Sequence, residues 1–279
     1  MKVTEGLLKR YEEYLQDEER SQATVEKYIR DVRRFMVFVG DDGVVDRETV
    51  RGYKQELREL YKMTSANSML AALNSFLGFA GKGEWKVKLF KIQKALYCRP
   101  EREITEKEYE MLVHRAKRNG DEQMSMLLQT IGSTGIRIGE LKFITVESLE
   151  RGRAEIYHKG KSRVALLPKE LTRLLIKYCK RKKIVNGSIF ITKHGNPVDR
   201  SNVSKKMKQL AAEAGVDASK VFPHNFRHLF ARAFYSVEKD VVRLMDLLGH
   251  SSINTTRIYT MTTEDQPRRQ MSRMRLVLG

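Results

Sequence analysis

The strongest constraint on the fold is the spacing of apolar residues in SQATVEKYIRDVRRFMVFVG, residues 21–40. They recur every three or four positions, which places them on one face of an α-helix that is buried against a core. These residues are Val25, Tyr28, Ile29, Val32, Phe35, Met36 and Val39. Ser21 or Thr24 can cap the start of this helix, and Gly40 can end it.

The same periodicity runs through most of the first hundred residues, in segments 5–16, 47–61 and 65–80. Residues 1–97 are therefore predicted to form a small all-helical domain. The pattern stops in the stretch YCRPERE, and we place a linker at residues 98–104. A simple loop inside a single domain is the alternative interpretation.

A second domain is expected over residues 105–260, and its start has a clear signal. Thr105 and Glu108 have the spacing of a capping box, in which each side chain accepts a backbone N–H of the other residue. Residues 105–149 read as helical, and helical patterns return after Asp199. Residues 261–279 form a basic tail.

Between these helical stretches the sequence favours strands. RAEIYHKGKSRVALLP, residues 153–168, alternates β-favouring residues around a Lys-Gly-Lys turn and predicts a hairpin. GSIFIT, residues 187–192, is a candidate for a third short strand. The predicted fold class is mainly α with a small antiparallel β-sheet.

The charge of the chain restricts its partners. It has 53 Lys and Arg against 35 Asp and Glu, a formal net charge of +18, which points to a nucleic acid or an anionic membrane surface. No run of eighteen apolar residues occurs, and the N-terminus does not resemble a secretory signal. We expect a cytoplasmic, nucleoid-associated protein with no membrane partner. Cys98 and Cys179 share no close spacing, so no disulfide framework is expected.

Four short segments combine the residue types that phosphate chemistry needs. In chain order they are TGIRIGEL with Arg137 and Glu140, HKGKSR with Lys159 and Lys161, PHNFRHLF with His224, Arg227 and His228, and LLGHSSINTTRIYT with His250 and Tyr259. Each of these residues taken alone would most often be a solvated or packed side chain, so the weight lies in their order.

In that order the segments resemble the tyrosine recombinase family of phage integrases and Xer-type recombinases. The family pattern is an Arg in a G-[IL]-R-x-[GS]-E-L box, a hairpin Lys, H-x-x-R, L-G-H and a nucleophilic Tyr. Arg227 and His250 are 23 residues apart, which also fits. The resemblance is sharp over residues 105–260 and looser over residues 1–97, where the family carries a helical core-binding domain.

The resemblance implies that Tyr259 attacks a DNA phosphate and forms a 3′-phosphotyrosine, which stores the bond energy and makes ATP unnecessary. Arg137 and Arg227 can each present two parallel N–H donors to the non-bridging oxygens. His250 is expected to hydrogen-bond the same phosphate. Glu140, one helical turn from Arg137, is expected to hold the active-site side chains in place.

Proton transfer needs further residues. Because the unperturbed pKa of tyrosine is about 10, Tyr259 requires a proton acceptor, and His224 is the candidate. Lys159 is the candidate general acid for the 5′ hydroxyl leaving group. The hairpin turn is one residue shorter than the common family turn, so Lys161 stays an alternative and is otherwise a phosphate contact. His228 is expected to be a structural hydrogen-bonder or an assistant to His224.

No metal or other cofactor is expected. His224 and His228 have the spacing of metal ligands, but a zincin motif would need Glu where Asn225 stands. The rival interpretations are a type IB topoisomerase, which uses a similar residue set to relax supercoils, a catalytically silent DNA-binding regulator of the same fold, and a metal-dependent nuclease.

The resemblance also implies partners. Two domains would clamp double-stranded DNA, and a homo-tetramer would assemble on two DNA sites, with the tail packed on a neighbouring protomer. An accessory DNA-bending protein is a further expected partner. The cellular role would be integration or excision of a mobile element, or resolution of chromosomes or plasmids. Because the chain begins almost directly with core-binding helices, no extra arm-binding domain is expected.

Overall fold

Helices dominate the computed structural model, which describes residues 1–92, 100–158, 161–250 and 252–259. The chain divides into two units, Met1–Lys94 and Ala95–Gly279. The first unit contains α1 (Glu5–Asp17), α2 (Gln22–Val39), α3 (Arg47–Leu60) and α4 (Met63–Phe79). The second contains α5 (Glu106–Arg118), α6 (Glu122–Thr134), α7 (Val146–Glu150), β1 (Arg153–His158), β2 (Lys161–Leu166), α8 (Lys169–Lys182), α9 (Arg200–Ala214), α10 (Pro223–Glu238), α11 (Val241–Leu248) and α12 (Ile253–Thr256).

The apolar face predicted for α2 is buried. Val25, Ile29, Val32 and Phe35 are almost inaccessible, and the other three predicted positions pack partly buried around the same core. Helix α2 ends at Gly40, as expected. Its N-cap is Ser21, one of the two predicted residues, although the Ser21 hydroxyl makes no capping hydrogen bond to the helix backbone.

Two asparagines on α4 hold the extended chain that follows the helix. The Asn74 side chain donates to the Val87 carbonyl (2.8 Å) and accepts the Val87 N–H (2.9 Å). Asn67 makes the same pair of hydrogen bonds with Phe90, at 2.9 and 2.7 Å. One amide side chain can pair with both polar groups of a residue because it has a donor and an acceptor, as a peptide group does.

The second unit starts with the predicted capping box. The Thr105 hydroxyl accepts the Glu108 N–H (3.1 Å), and the Glu108 carboxylate accepts the Thr105 N–H (2.8 Å). Helices α6 and α10 pack against each other in this unit, and α10 also contacts α11. None of the described helices is long and apolar enough to cross a membrane.

The predicted hairpin is present, with β1 antiparallel to β2 and Ile156 opposite Arg163. Ala154, Ile156 and Ala165 bury the inner face of the hairpin. Within the described residues this sheet has two strands.

The prediction of a third strand at residues 187–192 is wrong. Ser188 and Ile191 each make an isolated bridge, to Thr145 and to Pro197 respectively. The pairing is not continuous, because Gly187 has a positive φ of 69° and the chain turns back directly after Ile191, where the Gly195 N–H donates to the Thr192 carbonyl (3.0 Å).

Candidate active site

Arg227 lies at the centre of the site. Its side chain is 1% exposed on α10. One terminal nitrogen, Nη1, donates to the Gly135 carbonyl at the end of α6 (2.5 Å). The other, Nη2, donates to the Leu248 carbonyl at the end of α11 (2.6 Å) and lies 2.9 Å from His250 Nε2. Burial, with the charge of nearby Arg137, lowers the pKa of Arg227 to about 10, so it stays a cation at neutral pH.

Arg137 enters the site from a short turn that follows α6. Its backbone N–H and its Nη1 both donate to Glu140, at 2.9 Å each. Glu140 is 2% exposed, whereas the Arg137 side chain is 39% exposed. Burial acts to raise the pKa of Glu140, but the charges and hydrogen bonds of Arg163 and Arg137 outweigh it and lower the pKa. Glu140 is thus an ionised carboxylate that orients an accessible guanidinium.

Arg163 is a site residue that the sequence analysis missed. Its Nη2 donates to Glu140 Oε2 (2.6 Å) and its Nη1 donates to the Leu247 carbonyl (2.8 Å). It therefore links β2 to the Arg137 turn and to the end of α11. The available signal was strand alternation, since Arg163 and buried Ala165 share a face of the hairpin.

His250 follows α11 directly, and its contacts define its tautomer. Arginine can only donate hydrogen bonds, so His250 Nε2 accepts from Arg227. Nδ1 then carries the proton and donates to the hydroxyl of buried Thr256 (2.8 Å). Burial, followed by the charges of Arg227 and Arg137, lowers the pKa of His250 to about 4.

Tyr259 ends a single 3-10 turn after α12 and is 4% exposed. Its ring stacks on His250 with centroids 5.9 Å apart, and it meets His228 edge-on at 4.9 Å. Its buried hydroxyl has no hydrogen-bond partner among the described residues. Burial raises the pKa of Tyr259, and the charges of Arg227 and Arg137 partly oppose that rise.

His224 and His228 lie one turn apart on α10, with ring centroids 4.6 Å apart. Partial burial, followed by the neighbouring His228 and the charge of Arg227, lowers the pKa of His224 to about 4. His228 has a different environment, because its Nδ1 lies 3.4 Å from Glu103. Neither Glu103 nor its role was anticipated from the sequence, where it reads as part of a charged linker.

The structure brings most of the predicted site residues together. These are Arg137, Glu140, His224, Arg227, His228, His250 and Tyr259. Lys159 lies outside the described residues, as do the side chain of Lys161 and the predicted tail 261–279. Among the residues that are described, no group of three or more His, Cys, Asp or Glu side chains could hold a metal ion.

Two glycines that end helices provide a matched test of packing around this site. Gly249, between α11 and His250, has φ 62°, and an added Cβ would lie 2.2 Å from Arg163 Cδ. Gly215 ends α9 with φ 69°, and nothing would lie within 4 Å of its Cβ.

Gly215→Ala is expected to lower the free energy of unfolding by about 1 kcal/mol, the cost of a left-handed alanine. Gly249→Ala is expected to lower it by at least about 2 kcal/mol, because Arg163 must also move. Urea unfolding of both variants measures the difference. Equal losses would mean that the Arg163 contact is not tight.

In the part of the chain that the structure describes, helices and one hairpin bring arginines and histidines together around a buried tyrosine, and such fixed positive charge suits a phosphate group. The Phage integrase family matches residues 102–266, more than half of the chain, and the Phage integrase N-terminal SAM-like domain matches residues 8–83. The chain therefore belongs to the phage integrase family of tyrosine recombinases.

Full-length relatives agree with this assignment. The chain is 28% identical over 288 residues to the tyrosine recombinase XerA of Thermococcus onnurineus, covering 100% of this chain and 99% of the relative. It is 28% identical over 272 residues to XerD of Staphylococcus saprophyticus, covering 89% and 91%. A solved lambda integrase dimer bound to a COC′ core site shares the fold with a TM-score of 0.74, at 16% identity and coverage of 92% and 94%.

Proposed function

We propose that this protein is a site-specific DNA recombinase that cleaves and rejoins strands through a 3′-phosphotyrosyl bond at Tyr259. The observation that carries the proposal is the burial of the Tyr259 hydroxyl beside the guanidinium of Arg227 and two histidine rings. The sequence relatives are named tyrosine recombinases, and the solved neighbours include DNA-bound complexes.

The arginines supply the electrostatic part of the reaction. Arg227 uses three of its five N–H donors on two carbonyls and His250. Its Nε–H, which has no partner among the described residues, and the second N–H of Nη1 remain for phosphate oxygens. Arg137 presents a more accessible guanidinium. Positive charge fixed in advance stabilises the transition state without any reorganisation, and such terms are usually the largest in catalysis.

Two protons must move during cleavage. Tyr259 is protonated at neutral pH because burial raises its pKa, so its proton needs an acceptor. Two histidines of α10 lie near, namely His224, the acceptor predicted from the sequence, and His228, whose ring contacts Tyr259. The 5′ oxygen that leaves takes a proton from Lys159. The phosphotyrosine stores the bond energy, so rejoining requires neither ATP nor a metal.

The general acid can be tested by chemical rescue. Lys159→Ala is expected to slow cleavage of a normal phosphodiester by about 100-fold or more, because the 5′ oxygen is a poor leaving group without a proton. A substrate with a 5′-bridging sulfur, which leaves without a proton, should restore the rate. Lys161→Ala is the matched control. Rescue of Lys161→Ala and not of Lys159→Ala would transfer the role to Lys161.

The wider assembly is also part of the proposal. Residues 1–97 act as the core-binding domain, 98–104 as the linker, 105–260 as the catalytic domain and 261–279 as a protomer contact. The partner is double-stranded DNA, to which the net charge of +18 is suited. A homo-tetramer acts on two sites, aided by a DNA-bending protein, wherever cytoplasmic DNA carries those sites. A solved neighbour, a lambda integrase tetramer bound to a Holliday junction, supports the tetramer.

The function is tested by incubating the protein with supercoiled plasmid in EDTA and stopping the reaction with SDS. We expect relaxed DNA and protein covalently attached to a 3′ end. Strand exchange between two plasmids that carry the same site then separates a recombinase from a topoisomerase-like enzyme, which would relax DNA without exchange. Activity that requires a divalent metal would contradict the proposal.

A further inference from the structure

The two histidines that could accept the proton of Tyr259 differ in the charges that face them. We infer that Glu103 and His228 form a carboxylate–imidazole pair that accepts this proton, which leaves His224 to bind the phosphate. The inference rests on the proposed function and deepens it. It assigns a catalytic role to His228 and a positioning role to Glu103.

Glu103 is fixed in place by the helix that carries the histidines. Asn225, 1% exposed on α10, donates to the Arg102 carbonyl (3.0 Å). Arg232, two turns further along α10, forms an ion pair with Glu103 and donates to the Ile104 carbonyl (2.7 Å). Three consecutive residues, 102–104, are therefore bound to α10, and the Glu103 carboxylate cannot turn away from His228.

Glu103 also determines which nitrogen of His228 carries the proton. Burial acts to raise the pKa of Glu103, but the hydrogen bond from His228 and the charge and hydrogen bond of Arg232 lower it, so the carboxylate is ionised. An ionised carboxylate only accepts hydrogen bonds, so His228 Nδ1, at 3.4 Å, is the donor. In the neutral imidazole, Nε2 of His228 then carries the lone pair.

The ring that carries this lone pair packs against the ring of the nucleophile. His228 Nε2 and the Tyr259 hydroxyl are both buried, and neither has a hydrogen-bond partner among the described residues. Their rings meet edge to face with centroids 4.9 Å apart. A buried donor and a buried acceptor each raise the free energy of the folded state while they are unpaired. A side-chain rotation that joined the Tyr259 hydroxyl to His228 Nε2 would remove both costs.

The other two histidines are poorer acceptors. His250 Nε2 already accepts from Arg227. His224 is affected by the positive charges of Arg227 and Arg137, and its pKa falls to about 4 in the site without DNA. A bound phosphate would place negative charge near His224 and favour its protonated form, which donates to a phosphate oxygen.

The proton balance of cleavage follows directly. The Tyr259 Oη–P bond forms as its proton passes to His228 Nε2, and the P–O5′ bond breaks as the 5′ oxygen takes a proton from Lys159. Rejoining returns both protons.

The charged and titratable groups that face His228 are Glu103 on the preceding segment, His224 and Arg232 on α10, and Tyr259.

The first test is the pH dependence of covalent adduct formation on supercoiled plasmid. His228→Phe keeps a flat ring in place and is expected to reduce the rate about 100-fold at neutral pH. The loss should shrink as the pH rises, because hydroxide then removes the Tyr259 proton. Glu103→Gln should show a smaller loss with the same recovery, and exposed Glu101→Gln should match the wild type.

A purely structural role for His228 would lower the rate by the same factor at every pH and would overturn the inference. Recovery at high pH in His224→Ala, and not in His228→Phe, would do the same. If the wild-type protein formed no adduct on plasmids that carry its own site, the proposed function would be contradicted. The inference about His228 would still be tested, because the second test does not depend on activity.

The second test is nitrogen NMR of the full chain labelled at histidine, with the His228 signal assigned by its loss in His228→Phe. We expect a ring protonated at Nδ1 and not at Nε2, and Glu103→Gln should change that signal while Glu101→Gln does not. If His228→Phe fails to fold, Glu103→Gln serves for the assignment. A proton on Nε2 would overturn the inference, since that nitrogen could not then accept one.

Discussion

Tyr259→Phe is expected to abolish covalent attachment to DNA completely while leaving DNA affinity unchanged. The substitution removes the nucleophilic oxygen and keeps the ring that packs against His250 and His228. The hydroxyl is buried without a partner among the described residues, so its removal breaks no hydrogen bond with them. The free energy of unfolding should therefore stay within about 0.5 kcal/mol of the wild type, or rise.

The measurements are adduct formation on SDS gels, gel-shift affinity and urea unfolding. Tyr53→Phe is the matched control, because Tyr53 lies in the first unit and its buried hydroxyl also has no partner in the described part of the chain. The control should form the adduct at the wild-type rate. An adduct that persists in Tyr259→Phe would show that another residue is the nucleophile.

Arg227→Lys is expected to reduce cleavage by about 100-fold or more although the charge is kept. The Arg227 guanidinium donates hydrogen bonds to two backbone carbonyls and to His250 at the same time. The single ammonium group of lysine, on a shorter side chain, cannot reach all three. A carbonyl left without its donor in a buried site costs about 1–3 kcal/mol. The variant should therefore also lose stability, measured by urea unfolding beside the cleavage assay.

The matched control is Arg243→Lys on α11, where the side chain is 63% exposed and forms a surface ion pair with Glu238. Its stability should change by less than about 0.5 kcal/mol, and its cleavage rate should not change. If Arg227→Lys cleaved DNA at the wild-type rate, a positive charge alone would be sufficient, and the paired N–H donors of the guanidinium would have no role.

Much of the fold was predictable because its signals are local. The periodic apolar face of α2 and the Thr105–Glu108 capping box depend on residues three or four apart, and both are present. The third strand failed for the opposite reason. Residues 187–192 have strand composition, but a ladder needs one continuous partner elsewhere in the chain, and Ser188 and Ile191 bridge two different segments.

The site shows the same division. Motif order identified residues that the structure does bring together, including Arg137, Arg227 and Tyr259. Arg163 and Glu103 were missed because their roles depend on contacts with residues far along the chain. A lone arginine in a hairpin and a glutamate in a charged stretch are ordinary surface residues until the fold gives them partners.

Arg227 is a buried cation, yet no carboxylate hydrogen-bonds to it among the described residues. Its two terminal nitrogens instead meet carbonyls at the ends of α6 and α11. The peptide dipoles of a helix place a partial negative charge at its C-terminus, so two helix ends stabilise the guanidinium through fixed dipoles and not through an ionised carboxylate. An incoming DNA phosphate therefore does not have to displace a carboxylate from this cation, and the positive field that attracts it exists before the DNA arrives.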